Sequence, residues 1–146
     1  MCRVAAFSVL VSALAIVGCG EAKLATVPAG GKVMFKKSTP AAGALVVFHP
    51  VDDAFERKIG GKPFATVKDD GSFKLTTKEQ DDGAPEGEYN VTVDWQKKST
   101  AKMSLTGEGG GAAGSMLNPK YGNPKATVFK FTVKKGDKNE FLIEVD

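Results

Sequence analysis

The chain has 146 residues, 20 basic and 17 acidic side chains, a formal net charge of +3, two cysteines and one histidine. That length supports one domain with its own core. The basic side chains are almost all lysine and are scattered, unlike the clustered arginine–lysine stripe with interleaved aromatics of a nucleic-acid binder, and one histidine is too few for a catalytic zinc set. Neither nucleic acid nor a cofactor is expected.

The first element in chain order is an apolar run, Val4 to Val17, preceded by Met1-Cys2-Arg3. As a helix it would span only about 21 Å, short of the roughly 30 Å hydrocarbon core of a bilayer. A short basic start and a short apolar core mark an export signal. The run closes on Ile16-Val17-Gly18-Cys19, which resembles the bacterial lipobox. By that resemblance the chain is cut after Gly18, the Cys19 thiol takes a diacylglycerol, and the new amino terminus receives a further acyl chain such as palmitate. The alternatives are an ordinary signal peptide beside a free cysteine, or a buried apolar helix. Lipidation removes an otherwise unpaired thiol from an oxidising compartment. One acyl chain gives only marginal anchoring, at about 0.8 kcal/mol per buried CH₂, so stable attachment needs two or more. Cys2 would leave with the signal, and the processed chain would hold no disulfide. Loss of 18 residues leaves 128, with 19 basic and 17 acidic side chains.

Gly20 to Gly31 is small and polar with no periodicity, so residues 19–30 are expected to be the lipidated cysteine and a flexible tether. Residues 31–146 then form the folded body. It holds seven strand-like runs, most with apolar residues at period two: GKVMFKK, GALVVFHP (continuously apolar from Leu45 to Phe48), KPFATV, SFKLTT, GEYNVTVDWQ, TVFKFTV and NEFLIEV. Asp69-Asp70-Gly71 separates the third and fourth runs with a hairpin signal. Tyr89, Val91, Val93 and Trp95 fall on one face of the fifth, opposite Asn90, Thr92 and Asp94. No helix-length amphipathic stretch interrupts them. The expected fold is all-β, an antiparallel two-sheet sandwich of about seven strands, Ig-like or prealbumin-like. Residues 97–125 break the pattern as a long glycine-rich loop. Its GEGGGAAGS lacks the Gly-Lys-Ser/Thr of a phosphate-binding loop.

The runs GKVMFKKSTPAAGALVVFHP, ATVKDDGSFKLTT, DGAPEGEYNVTVDW, LNPKYGNP and NEFLIEV resemble the carboxypeptidase regulatory-like, or transthyretin-like, lipoproteins of bacteria. The resemblance covers about residues 30–146. It implies a single prealbumin-like β-sandwich at the envelope and no assigned chemistry. A purine-pathway hydrolase shares that architecture, but its site uses several histidines and a Tyr-Arg-Gly-Ser end, whereas this chain has one histidine and ends Phe-Leu-Ile-Glu-Val-Asp.

Tyr89, after Gly87-Glu88, sits in the context of a tyrosine corner. Trp95 and Tyr121 are the candidate ligand contacts, with core packing and loop anchoring as their structural alternatives. His49 is a weak candidate base, since no Gly-x-Ser-x-Gly elbow accompanies it. Asp69-Asp70 and Asp81-Asp82 lack EF-hand spacing and suit turns, with calcium on the loops as the alternative. The leading expectation is a non-enzymatic lipoprotein anchored in a membrane of the cell envelope. The alternative is a glycan- or peptide-binding receptor using Trp95, Tyr121 and the 97–125 loop. Its partner would be an envelope protein or glycan; the sequence does not separate inner from outer membrane.

Overall fold

The computed structural model describes residues 24–96 and 114–146. The strands are β1 (Thr26–Val27), β2 (Gly30–Phe35), β3 (Thr39–Pro40), β4 (Leu45–Pro50), β5 (Phe64–Thr66), β6 (Ser72–Lys74), β7 (Ala84–Pro85), β8 (Gly87–Asp94), β9 (Phe129–Val133) and β10 (Glu140–Val145). One α-helix, α1 (Asp53–Ile59), and a 3-10 turn at Pro119–Gly122 complete the described elements. All seven runs contain a strand. The two-residue strands β1, β3 and β7 carry no period that could announce them.

Two four-stranded sheets face each other. One has the order β10-β2-β3 with β6 also paired to β2; the other has the order β5-β4-β8-β9. A small β1–β7 ribbon lies at one end. The inward residues of the alternating strands meet between the sheets: Val33, Phe73, Ile143 and Val145 from one, Val46, Phe48, Tyr89, Val91 and Val93 from the other, all buried. Phe48 is the centre of an aromatic cluster, with ring centroids 5.7 Å from Tyr89 and 5.7 Å from Phe141. The fold is an all-β sandwich.

Three features depart from the expected plan. First, the pairing is not wholly antiparallel: β10 runs parallel to β2 from Glu140↔Gly30 to Val145↔Phe35. Alternation fixes which face a side chain takes but not strand direction, and a parallel pair needs a long connection, here everything between the first and last long strands. Second, the Asp69-Asp70-Gly71 hairpin opens into both sheets, because β5 pairs with β4 while β6 pairs with β2. The turn is nonetheless built as its residues require: Gly71 has φ +82°, and Asp70 Oδ1 accepts from the Ser72 backbone N–H at 2.9 Å. Third, the tether ends sooner than Gly30. Thr26 and Val27 pair with Pro85 and Ala84.

Helix α1 was not expected either. Asp52 caps its amino end by accepting from Ala54 N–H at 2.8 Å, and Gly60 closes it in the left-handed conformation at φ 76°. With seven residues it shows only one turn-to-turn apolar pair, Phe55 and Ile59. Phe55 packs against the Tyr89 ring at 5.9 Å.

Candidate functional site

Strands β2, β8 and β10 all run from one end of the sandwich to the other, which defines a near end (Gly30, Gly87, Glu140) and a far end (Phe35, Asp94, Val145). Both candidate ligand contacts lie at the far end. Trp95 follows β8 and is half-buried. Its ring meets Phe35 edge-on at 5.5 Å, and its indole N–H donates to the Ala42 carbonyl at 2.9 Å. A tryptophan whose polar handle is satisfied inside the protein and whose ring is wedged against the core is held as packing.

Tyr121 is 4 % exposed and stacks on Phe129 at 5.5 Å. Its hydroxyl donates to Asp146 Oδ1, and Lys120 Nζ lies 4.6 Å from its ring centroid and 3.4 Å from the Asp146 carboxylate. The Tyr121 hydroxyl, followed by Lys120, holds the Asp146 carboxyl below its ordinary range. Little of the Tyr121 ring is left to meet a ligand. Among residues 114–125, Leu117 is buried in the core like Tyr121, whereas Met116 is 42 % exposed. Asn118 starts the 3-10 turn by accepting from Lys120 N–H at 3.1 Å. Residues 97–113 of the glycine-rich loop, like the candidate lipidation and cleavage residues Cys19 and Gly18, lie outside the described residues.

Tyr89 forms the expected corner: its ring is fully buried and its hydroxyl donates to the Pro85 carbonyl at 2.7 Å. Burial pushes its pKa up. His49 projects from β4 on the sheet face away from the core. Its Nε2 lies 2.9 Å from Thr92 Oγ1 on β8. Burial, then the charge of Lys62, lowers its pKa against a smaller opposing effect of Glu56. Thr92 is itself buried, so this side of β8 is less open than simple alternation implies. Asn90, opposite His49 on β8, has a buried Oδ1 with no hydrogen-bond partner among the described residues.

The aspartates expected at turns are found there. Asp82 accepts backbone N–H donors from Thr77 at 2.7 Å, Lys78 at 3.1 Å and Glu79 at 3.2 Å. Burial opposes its ionisation, but the backbone donors outweigh that and hold its carboxyl below its ordinary value. Among the described residues no group of three His, Cys, Asp or Glu side chains is placed to hold a metal ion.

A groove of about 760 Å³ lies at the near end, on the outer face of the β2–β6–β10 sheet. Its basic rim is Lys32, Lys68, Lys74 and Lys138, and its acidic groups are Asp81 and Glu140. A Cβ on Gly30 would sit 2.3 Å from the Phe73 carbonyl oxygen, so bare backbone forms that part of the floor. These lysines come from β2, β6 and two loops; their meeting follows from strand pairing and leaves no local signal in the sequence.

No family model, curated protein or solved structure matches the chain. The likeness to the transthyretin-like lipoproteins rests on the sequence motifs alone.

Proposed function

We propose that the chain is a bacterial lipoprotein, anchored to an envelope membrane through acyl chains on Cys19, whose β-sandwich acts by contact and not by turnover. The observation that carries this reading is the run from Val4 to Cys19: too short to span, closed by Ile-Val-Gly-Cys, and placed at the depth of an export signal. The resemblance to the transthyretin-like lipoproteins supports it, and with it a prealbumin-like identity for the sandwich. The fold is compatible with such an anchor. Seven residue steps separate Cys19 from the first strand residue, Thr26, which keeps the body within about 25 Å of the attachment point at full extension.

The non-enzymatic part of the reading draws on His49. Its Nε2 lies against Thr92 Oγ1 at 2.9 Å, and the ring lies on a sheet face rather than in the groove. The experiment is cell fractionation of the full chain and its Cys19→Ser variant. The parent is expected in the membrane pellet, extractable with detergent. The variant should lose acyl incorporation and signal cleavage, keeping its apolar leader. A variant still processed after Gly18 and still labelled by fatty acid would refute the assignment to that cysteine.

A further inference from the structure

The near-end groove has a rim charge and a position that together point to one occupant. We propose that it rests on the bilayer, with its lysines binding the phosphates of anionic phospholipids beside the anchor. This inference depends on the anchoring of Cys19.

Position is the first reason. Pro28 and Ala29 line the groove, so the chain coming from Cys19 reaches the folded body at the groove's own margin. Pro28 is nine residues beyond Cys19, a distance of at most about 30 Å even when fully extended. The β1–β7 ribbon and the bond from Asn139 Nδ2 to the Pro28 carbonyl, at 3.3 Å, pin the chain there. An anchor attached at that margin brings the near end closer to the membrane, on average, than the far end.

Charge is the second. Four exposed lysines and two exposed carboxylates line the groove, and Asp70, close enough to Lys32 to feel its charge, leaves a local excess of one positive charge. Phosphates need no deep pocket to be held by such ammonium groups, because lysine acts as a mobile point charge on a long stem. Membrane attachment raises the local concentration of headgroups, so weak contacts suffice. The third reason is Leu142, which lines the same groove and is 59 % exposed. A large apolar side chain among lysines suits an interface where the stems lie in the apolar boundary and the charged heads reach phosphate.

The test uses the intact acylated protein with Lys74→Cys, whose new thiol carries a polarity-sensitive fluorophore while Cys19 is blocked by its lipid. Lys36→Cys, in the far-end turn after β2, is the comparison site. Each is reconstituted into phosphatidylcholine vesicles with or without phosphatidylglycerol, with a quencher on the lipid headgroup. Quenching at position 74 should be severalfold that at position 36 when phosphatidylglycerol is present. It should fall toward the position-36 level without that lipid, at high salt, or on adding Lys32→Glu and Lys138→Glu. Equal quenching at both positions in vesicle-bound protein would overturn the groove's role while leaving the anchor intact. Failure of the protein to float with vesicles would instead overturn the anchor, and this inference with it. A fluorophore at position 74 that responds to a soluble acidic polysaccharide or inorganic phosphate, but not to vesicles, would assign the groove to that anion and reject the membrane.

Discussion

Asn139 and Tyr121 close opposite ends of the same sandwich with different chemistry. Asn139, buried at the near end, donates from Nδ2 to the Pro28 and Lys134 carbonyls at 3.3 and 2.9 Å, and its Oδ1 accepts from Lys134 N–H at 2.9 Å. Tyr121, at the far end, closes the core with a ring stacked on Phe129, and its hydroxyl donates to the exposed Asp146. Directional bonds fix one backbone position relative to another, whereas a stacked ring chiefly excludes water and tolerates small shifts. The polar clamp is found where the described chain enters the body between β1 and β2. The aromatic closure is found beside the Gln96–Ser115 bridge, which joins the described residues on either side of 97–113.

Truncating the far-end ring should have the largest effect. Tyr121→Ala is expected to cost about 3 kcal/mol of unfolding free energy, since the cavity beside Phe129 cannot collapse fully. Tyr121→Phe should cost under about 1 kcal/mol, because the lost hydroxyl partner is solvated. Urea denaturation of the pair separates ring from hydroxyl; equal losses would show that the far end is also held by its polar atom.

A smaller loss is expected at the near end. Asn139 adopts φ 40°, which glycine tolerates, so Asn139→Gly removes the side chain without imposing that strain. The Pro28 carbonyl and the Lys134 N–H and carbonyl lose their partly buried side-chain partner, for a combined cost of about 2 kcal/mol. Amide hydrogen exchange should then accelerate in β1 and in the turn before β10 while leaving the residues around Tyr121 protected. Uniform acceleration across both ends would contradict the separation.

The smallest effect is a pH dependence from His49, which takes part in neither closure. Its folded pKa is lowered, by burial first and by Lys62 second, from the ordinary value of 6.5. The unfolded chain therefore takes up the proton more readily. This contribution to stability is complete above about pH 6.5, declines as the pH falls through that value, and levels off below the folded pKa. Thermal melts of the parent and His49→Gln should diverge slightly between pH 7.5 and 5, the parent losing more on acidification. Parallel curves would show that the ring titrates alike in both states.

Much of the sandwich was legible because its strands are half-buried: Phe129, Phe131 and Val133 alternate, as do Phe141, Ile143 and Val145, and each set faces inward. Tyr89 was legible from its place after Gly87-Glu88, where a corner needs a buried ring with an upstream carbonyl. The parallel β2–β10 pairing was not, since Gly30 and Glu140 are 110 residues apart and alternation is the same in either direction. Helix α1 carries a readable cap in Asp52 and stop in Gly60, but seven residues give too little periodicity to weigh against strands. The groove was illegible for a third reason. Lys32, Lys74 and Lys138 are unremarkable singly, and only the pairing of β2 with β6 and β10 gathers them.

The account stands on the chemistry of a single sulfur, and intact mass of the membrane-extracted protein reads it directly. The predicted species begins at Cys19 and is heavier than its polypeptide by a diacylglycerol thioether and an amide-linked acyl chain, with the added mass confined to the amino-terminal peptide after digestion. A processed protein of unadorned polypeptide mass, with Cys19 free to react with a thiol reagent, would contradict it.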